Sequence, residues 1–248
     1  MTEPRQPPAI QWAELIAGTE RPIGIGRTGA SRCALRVAGK AVSGIIKRIP
    51  LEHVVTESFA ALLLRGWGLP VPDPYLVDVG GALAFGSADA GYPNLLQPLT
   101  VGLEEGSPER DAAIGIAIGV AVGLANAPLA AVADEAIDNR DRNLENILWD
   151  GQREAWIDHA HSLGQSQLAD HNKLCFMSVM VGQEAPFRQA AVARTFVMAR
   201  DLPDAVADAM ATMHDTRQQA EFVASRMSDI ASRILARFPA PDDLLSRA

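Results

Sequence analysis

The first regular alternation of apolar and polar positions is Cys33-Ala34-Leu35-Arg36-Val37, followed by Gly39-Lys40 and an apolar run from Val42 to Ile49. A two-residue period on either side of a glycine turn predicts a β-hairpin. From Val54 to Arg65 the period lengthens, and Val55, Phe59, Leu62 and Leu63 fall on one helical face. Gly66 and Gly68 close that helix, and Pro70, Pro72 and Pro74 reset the backbone to extended conformations. A second hairpin is predicted for Tyr75–Val79 and Ala82–Phe85 across Gly80-Gly81, then a short strand and turn over Asn94–Leu99. Gln11–Gly18 fits a short helix or a strand equally well, and the Pro-rich residues 1–9 read as an extended arm.

The second half is patterned for helices. Ser107-Pro108-Glu109 offers an N-cap, a proline at the first helical position and an acid in the first turn. Ala112 to Ala133 carries no charge, which predicts a buried helix over about 112–126 ending before Pro128. Gly115, Gly119 and Gly123 recur every four residues, a spacing that suits close helix packing. A membrane span fits this stretch less well, because Asn126 and Pro128 interrupt it and charges flank it. Further helical segments are expected at 129–137, 190–199, 202–213 and 218–238.

Composition narrows the function classes. The 248 residues are 48% hydrophobic and carry a net charge of -8, so an electrostatic nucleic-acid binder is not expected. The two cysteines, Cys33 and Cys175, are far apart and suit buried free thiols in a reducing cytoplasm, and no signal peptide is read at the start. Cytoplasmic localisation with no membrane partner is the expectation.

The chemistry concentrates in Asp141-Arg142-Asn143-Leu144-Glu145-Asn146, then the runs Ile147-Leu148-Trp149 and Glu154-Ala155-Trp156-Ile157 across Asp150-Gly151, ending in Asp158-His159. An Asp, an Asn five residues on, and a second Asp after a short hairpin are the parts of a magnesium-dependent phosphoryl-transfer site. Asp141 is expected to orient the attacking hydroxyl, and Asn146 and Asp158 to hold the metal against phosphates. Arg140 and Arg142 are either partners orienting Asp141 or surface residues. His159 and His161 lack a third ligand and read as loop residues.

Upstream parts appear in matching order. Gly24, Gly26 and Gly29, with Thr28 and Ser31, precede the first hairpin and suit a loop whose amides approach phosphate. On its own such a loop is more often plain surface. Lys47 ends the second strand, where a phosphate-touching lysine belongs, and Glu57 on the following helix is placed to pair with it.

These residues resemble the HipA-like kinases and, more distantly, the phosphoinositide lipid kinases. The resemblance rests on Asp141 to Leu148, Ile157-Asp158-His159, and the Glu57-bearing helix leading into Gly68-Leu69-Pro70-Val71-Pro72; it covers residues 24–165. It implies an α+β, bilobal protein-kinase-like fold: a small β-rich lobe with one helix over 1–97 and a mainly helical lobe over 98–248. It also implies ATP and Mg2+ as cofactors. Lys47 would touch phosphate, Glu57 would hold the lysine, Asp141 would act as base, and Asn146 and Asp158 would bind metal. Gly26, Thr28, Gly29 and Ser31 would line the phosphates, and Gln97, in the connection between the lobes, would lie near adenine. The sequence departs at Asn143, where the family often has His, and a toxin role or antitoxin partner does not carry over. The expected activity is γ-phosphoryl transfer to a protein Ser or Thr hydroxyl. The alternatives are a nucleotide-binding module without turnover, a small-molecule or lipid kinase, and a nucleotidyl transferase. Nothing in the sequence names the acceptor.

Overall fold

The computed structural model describes residues 9–23 and 29–239. Six strands make the first sheet: β1 (Gln11–Leu15), β2 (Arg21–Pro22), β3 (Ser31–Val37), β4 (Lys40–Lys47), β5 (Pro74–Val79) and β6 (Ala82–Ala88). Their order is β1-β5-β6-β4-β3-β2, and β1 also pairs with β3, so five strands close on themselves. Both expected hairpins form. Ala38 and Gly39 (φ 45° and 80°) make one turn, and Gly80 and Gly81 (φ 62° and 86°) the other. Positive φ at both central residues matches the twist of the flanking strands.

Gln11–Leu15 proves to be a strand, parallel to β5 and antiparallel to β3. Such long-range pairing is invisible to a local period. Inside the closed sheet lie Cys33, Leu35, Val37, Ile46, Tyr75 and Val77, from alternate positions of their strands. Leu35 fits there because Gly44 lacks a side chain, and Val77 because Gly86 does. A Cβ on Gly44 would stand 2.5 Å from Leu35 Cδ1, and one on Gly86 2.7 Å from Val77 Cγ2.

Helix α1 (Leu51–Gly66) is buried without a break from Val54 to Leu64. The sheet covers one side through β5 and β6, and α7 (Leu202–Met210) covers another. The helix is therefore a fully enclosed rod rather than the one-sided helix its period suggests.

The chain then enters its helical part. Pro93 and Leu95 pair with β7 (Ile147–Trp149) through Trp149 N–H to Pro93 O (3.0 Å) and Leu95 N–H to Ile147 O (2.7 Å). Gln97-Pro98-Leu99 forms not a strand end but the start of a short helix, α2 (Gln97–Thr100). Ser107 caps α3 (Pro108–Gly123), its side chain accepting from Arg110 N–H. The charge-free stretch is two helices: α3 stops at Gly123, and α4 (Ala127–Ile137) takes Pro128 into its first turn. The two meet at 87°, and among the described residues no single helix is long and apolar enough to cross a membrane.

The expected close packing of the glycine stripe is not found. A Cβ on Gly115, Gly119 or Gly123 would meet nothing within 4 Å. Alanines supply the buried face instead, at Ala113, Ala117 and Ala121.

The remaining helices are α5 (Lys173–Met180), α6 (Glu184–Thr195), α7, α8 (Arg217–Ser228) and α9 (Ile230–Leu235). The pattern gave no α5, placed α6 too late, and read α8 and α9 as one helix across Asp229. Leu129, Val132, Ile137, Phe187, Val223 and Met227 belong to one core that also takes in Phe59 and Leu63 of α1. The Glu57-bearing helix is thus anchored in the same apolar mass that carries the catalytic-type loop.

Candidate active site

The loop after α4 is built on a buried carboxylate. Asp138 ends α4 in the left-handed region (φ 56°) and turns the chain back toward Asp134. Asn139 Nδ2 donates to Asp134 Oδ1 (2.8 Å), and Asn139 Oδ1 accepts from Asp141 N–H (3.2 Å). Arg142, fully buried, donates from Nε and Nη2 to the two Asp134 oxygens, both at 2.9 Å. Its remaining nitrogen, Nη1, reaches Asn146 O (3.2 Å) and Ile157 O (2.8 Å). One guanidinium therefore fixes the backbone at Asn146 and at the residue preceding Asp158. Arg142 orients the metal-type residues rather than Asp141, and it is no surface residue. Arg140 pairs with Asp138 (3.1 Å) instead.

Asn143 caps the single 3-10 turn Leu144–Asn146, with Oδ1 accepting from Glu145 N–H (2.9 Å) and Asn146 N–H (3.2 Å). At the position where the resembling family often has His, this chain uses an amide as a cap. Asn146 Nδ2 donates to Asp141 O (3.1 Å). That bond occupies the amide nitrogen and leaves Asn146 Oδ1 available as an acceptor. Strand β7 pairs with β8 (Glu154–Trp156) across Gly151 (φ 98°), as the sequence pattern predicts, and Asp158 follows with φ 66°.

Across from this hairpin, Lys47 ends β4. Its Nζ lies 2.8 Å from Asp158 Oδ1 and 3.4 Å from Glu57 Oε1. Glu57 Oε2 accepts from His159 N–H (2.7 Å). Burial opposes charge on the lysine, but the Glu57 and Asp158 carboxylates outweigh it and hold its pKa above the ordinary value. Burial dominates at Glu57 and raises its pKa despite Lys47. At Asp158 burial is outweighed by Lys47, and the pKa lies below the usual carboxylate value.

His159 is held neutral, its pKa pushed well down by burial and by the charges of Arg142 and Lys47. Arg142 Nη2 stands 3.3 Å from His159 Nδ1. A guanidinium only donates, so Nδ1 must accept and the ring proton sits on Nε2. His161 stacks edge-on against His53 with centroids 4.9 Å apart.

Lys47, Glu57, Asn146, Asp158 and Gln97 line one cavity. Val71, Tyr92, Leu148 and Ile157 give it an apolar wall. Ile23 and Ala30, the two described residues that flank the Gly-rich stretch most closely, also line it, and Ile23 N–H bonds Ala30 O (3.1 Å). Gly26 and Thr28 lie outside the described residues. Ser31 sits in β3 opposite Ile46 and, like Gly29, is not part of the wall. Asp141 stands one step outside the cavity, with 39% of its side chain exposed and Lys173 Nζ 3.6 Å away.

The donor set fits a magnesium–triphosphate group. Lys47 is a buried cation, Asn146 presents an amide oxygen, and Asp158 keeps Oδ2 open beside its bond to Lys47. Among the described residues no three His, Cys, Asp or Glu side chains form a metal cluster of their own. An amide plus one carboxylate is the kind of sparse set that completes its coordination with phosphate oxygens and water.

The sequence matches no family model and no curated protein. Solved structures do match. The Helicobacter pylori proinflammatory kinase CtkA superposes with a TM-score of 0.57 at 14% identity, over 94% of this chain and 100% of that one. The chain shares the fold of that kinase. HipA of Shewanella oneidensis MR-1, solved in its toxin–antitoxin complex with HipB and operator DNA, matches at a TM-score of 0.49 and 13% identity. That match covers 87% of this chain, which spans 65% of the HipA chain. In this fold the β-rich N-terminal region carries Lys47 and Glu57, and the helical part carries Asp141, Asn146 and Asp158.

The sequence signal missed Asp134, Asn139 and the role of Arg142. Asp134 looks like an ordinary helix residue, and only its burial among alanines and leucines marks it.

Proposed function

We propose that this protein is an ATP- and magnesium-dependent kinase that transfers the γ-phosphoryl group to a protein Ser or Thr hydroxyl. One observation carries the reading. Lys47, held by Glu57, meets Asp158 at 2.8 Å in the cavity that Asn146 also lines, while Asp141 lies on the loop that fixes Asn146. A buried lysine, an amide and a carboxylate from parts of the chain far apart in sequence line one space, which supports the reading.

When bound, magnesium would neutralise the phosphates and ATP would supply the phosphoryl group. Lys47, held by Glu57, would bind a phosphate oxygen. Asn146 and Asp158 would hold the cation. Asp141, exposed at the cavity edge, accepts a hydrogen bond from the acceptor hydroxyl and aims it. Catalysis of this kind is positioning plus electrostatics, with no covalent enzyme intermediate. The bilobal arrangement, with the nucleotide between residues 1–97 and 98–248, belongs to the same reading.

The test is transfer of labelled γ-phosphate to protein acceptors, by the wild type and by Asp141→Ala. Magnesium-dependent transfer that the substitution abolishes, with an unchanged circular dichroism spectrum, is the expected result. Retained transfer removes Asp141 as the hydroxyl-orienting residue. ATP binding without transfer to any acceptor, including the chain itself, favours the non-catalytic alternative.

A further inference from the structure

Beside Asp141 lies a second groove, of about 480 Å³. Its apolar lining includes Leu168, Phe176 and Met180, which are 45%, 62% and 57% exposed. Its polar lining is Arg140, His171 and Lys173, with no carboxylate. The acids that pair with those cations, Asp138, Asp141 and Asp170, are not part of the wall. Lys173 joins the groove to the site, since its Nζ is 3.6 Å from Asp141 Oδ1.

The last described residues are fastened at the same place. Arg237 donates to Asp170 O (2.9 Å) and Asp170 Oδ1 (2.6 Å), and Asp170 lies between two lining residues, Ala169 and His171. That same Asp170 oxygen is 3.9 Å from Arg140 Nε. The path from the Arg237 Cα through these contacts to the Asp141 Cα is at most about 23 Å by bond lengths. Residues 240–248 follow, reading Ala-Pro-Asp-Asp-Leu-Leu-Ser-Arg-Ala. Ser246 is nine residues beyond Arg237, a reach of about 30 Å when extended.

We propose that the groove docks the chain's own Asp242-Asp243-Leu244-Leu245 stretch and presents Ser246 to Asp141 as an intramolecular phosphoryl acceptor. Leu244 and Leu245 match the exposed Leu168, Phe176 and Met180. Asp242 and Asp243 would lie beside Arg140 and Lys173, whose present partners are Asp138, Asp170 and Asp141. The occupant is argued from the anchoring at Asp170 and the reach of the tail. The inference rests on the kinase reading. In the step, the Ser246 oxygen bonds to the γ-phosphorus of the nucleoside triphosphate. The bond from that phosphorus to the bridging oxygen breaks, and the nucleoside diphosphate leaves with the electron pair. The hydroxyl proton passes to the Asp141 carboxylate and on to solvent.

Two measurements on the full chain test it. First, phosphosites are mapped by mass spectrometry after incubation with ATP and magnesium. Ser246 is expected to be modified at a rate independent of protein concentration, and Phe176→Glu should slow it at least tenfold. Second, docking is read without catalysis, as disulfide formation in a Ser246→Cys chain that also carries Phe176→Cys or, as control, Phe196→Cys. Phe196 is 78% exposed and lies outside the groove, and the native Cys33 and Cys175 are buried and do not compete. An intrachain bond to position 176 in strong preference to 196 supports docking. Equal bonding to both overturns it. Transfer to supplied protein without Ser246 modification overturns the acceptor role and leaves the kinase reading standing. Preferential cross-linking with no transfer anywhere overturns the kinase reading and the acceptor role, and leaves only the docking. A modification rate proportional to concentration shows exchange between chains and overturns the intramolecular step.

Discussion

Arg142 and Asp134 meet in a bidentate pair, two bonds of 2.9 Å, with both side chains almost wholly out of solvent. The pair sets the loop, because the remaining Arg142 nitrogen holds Asn146 O and Ile157 O. Removing one partner leaves a buried charge without its counter-ion, which costs about 3–5 kcal/mol. Arg142→Ala is therefore expected to lose about that much in urea unfolding. Arg142→Lys should recover little of it, because a single ammonium does not reproduce the planar fork that serves five acceptors at once.

Asp158, proposed above as a metal ligand, sits on a backbone with φ 66°. Asn tolerates that region better than most residues, so Asp158→Asn tests the charge without adding backbone strain. The variant should fold. It should lose the thermal shift that ATP gives only with magnesium, since ligand stabilisation scales with free ligand over Kd. Survival of a full magnesium-dependent shift would remove Asp158 as a metal ligand.

Asn143 is a cap here and nothing in the geometry requires it to touch substrate. Asn143→Ala should cost about 0.5–2 kcal/mol of stability, the range for a lost cap. It should also raise the magnesium requirement of transfer, because Asn143 Oδ1 accepts from Asn146 N–H. Asn143→Asp keeps an acceptor at that position and should restore both.

Cys33 sits inside the closed sheet, where burial, and then the Glu20 charge, pushes its thiol up to about 11 from 9.0. The unfolded thiol ionises first, so the unfolded state gains as the pH rises. The Cys33 contribution to stability is complete below pH 9.0 and is lost as the pH climbs through about 11. Denaturant melts of wild type and Cys33→Ala should therefore differ in pH dependence only above pH 9, with wild type falling faster. At pH 8 the thiol of the folded chain should resist alkylation.

Much of the site was legible in the sequence because its parts sit at fixed local spacings. Asp141 to Asn146 is one loop, Asn146 to Asp158 one hairpin, and Lys47 to Glu57 one strand end and the next helix. What stayed hidden depends on burial and on pairing at a distance. Asp134 and Arg142 become a clamp only when alanine-rich α4 is packed on every side. β1 offered two equal readings because its five residues are too few to show a period, and its partners lie twenty or more residues away. The break at Asp229 and the late start read for α6 reflect boundary signals that the core overrode.

The glycine stripe of α3 makes the opposite kind of error instructive. Spacing alone suggested close packing, yet Gly115 and Gly119 face open space within an α-helix, while Gly44, Gly66 and Gly86 carry tight contacts. Gly115→Ala and Gly119→Ala each remove unfolded-state freedom and improve helix propensity with no steric penalty, so each should add about 0.4–1 kcal/mol of stability. Gly44→Ala should do the reverse, because its Cβ would stand 2.5 Å from Leu35 Cδ1 and 3.1 Å from Ser87 O. Overpacking of this kind costs about 1–3 kcal/mol. Thermal melts of the three variants decide the matter. A destabilised Gly119→Ala would mean that the stripe meets a partner in solution, and a neutral Gly44→Ala would mean that the closed sheet is looser around Leu35 than its contacts indicate.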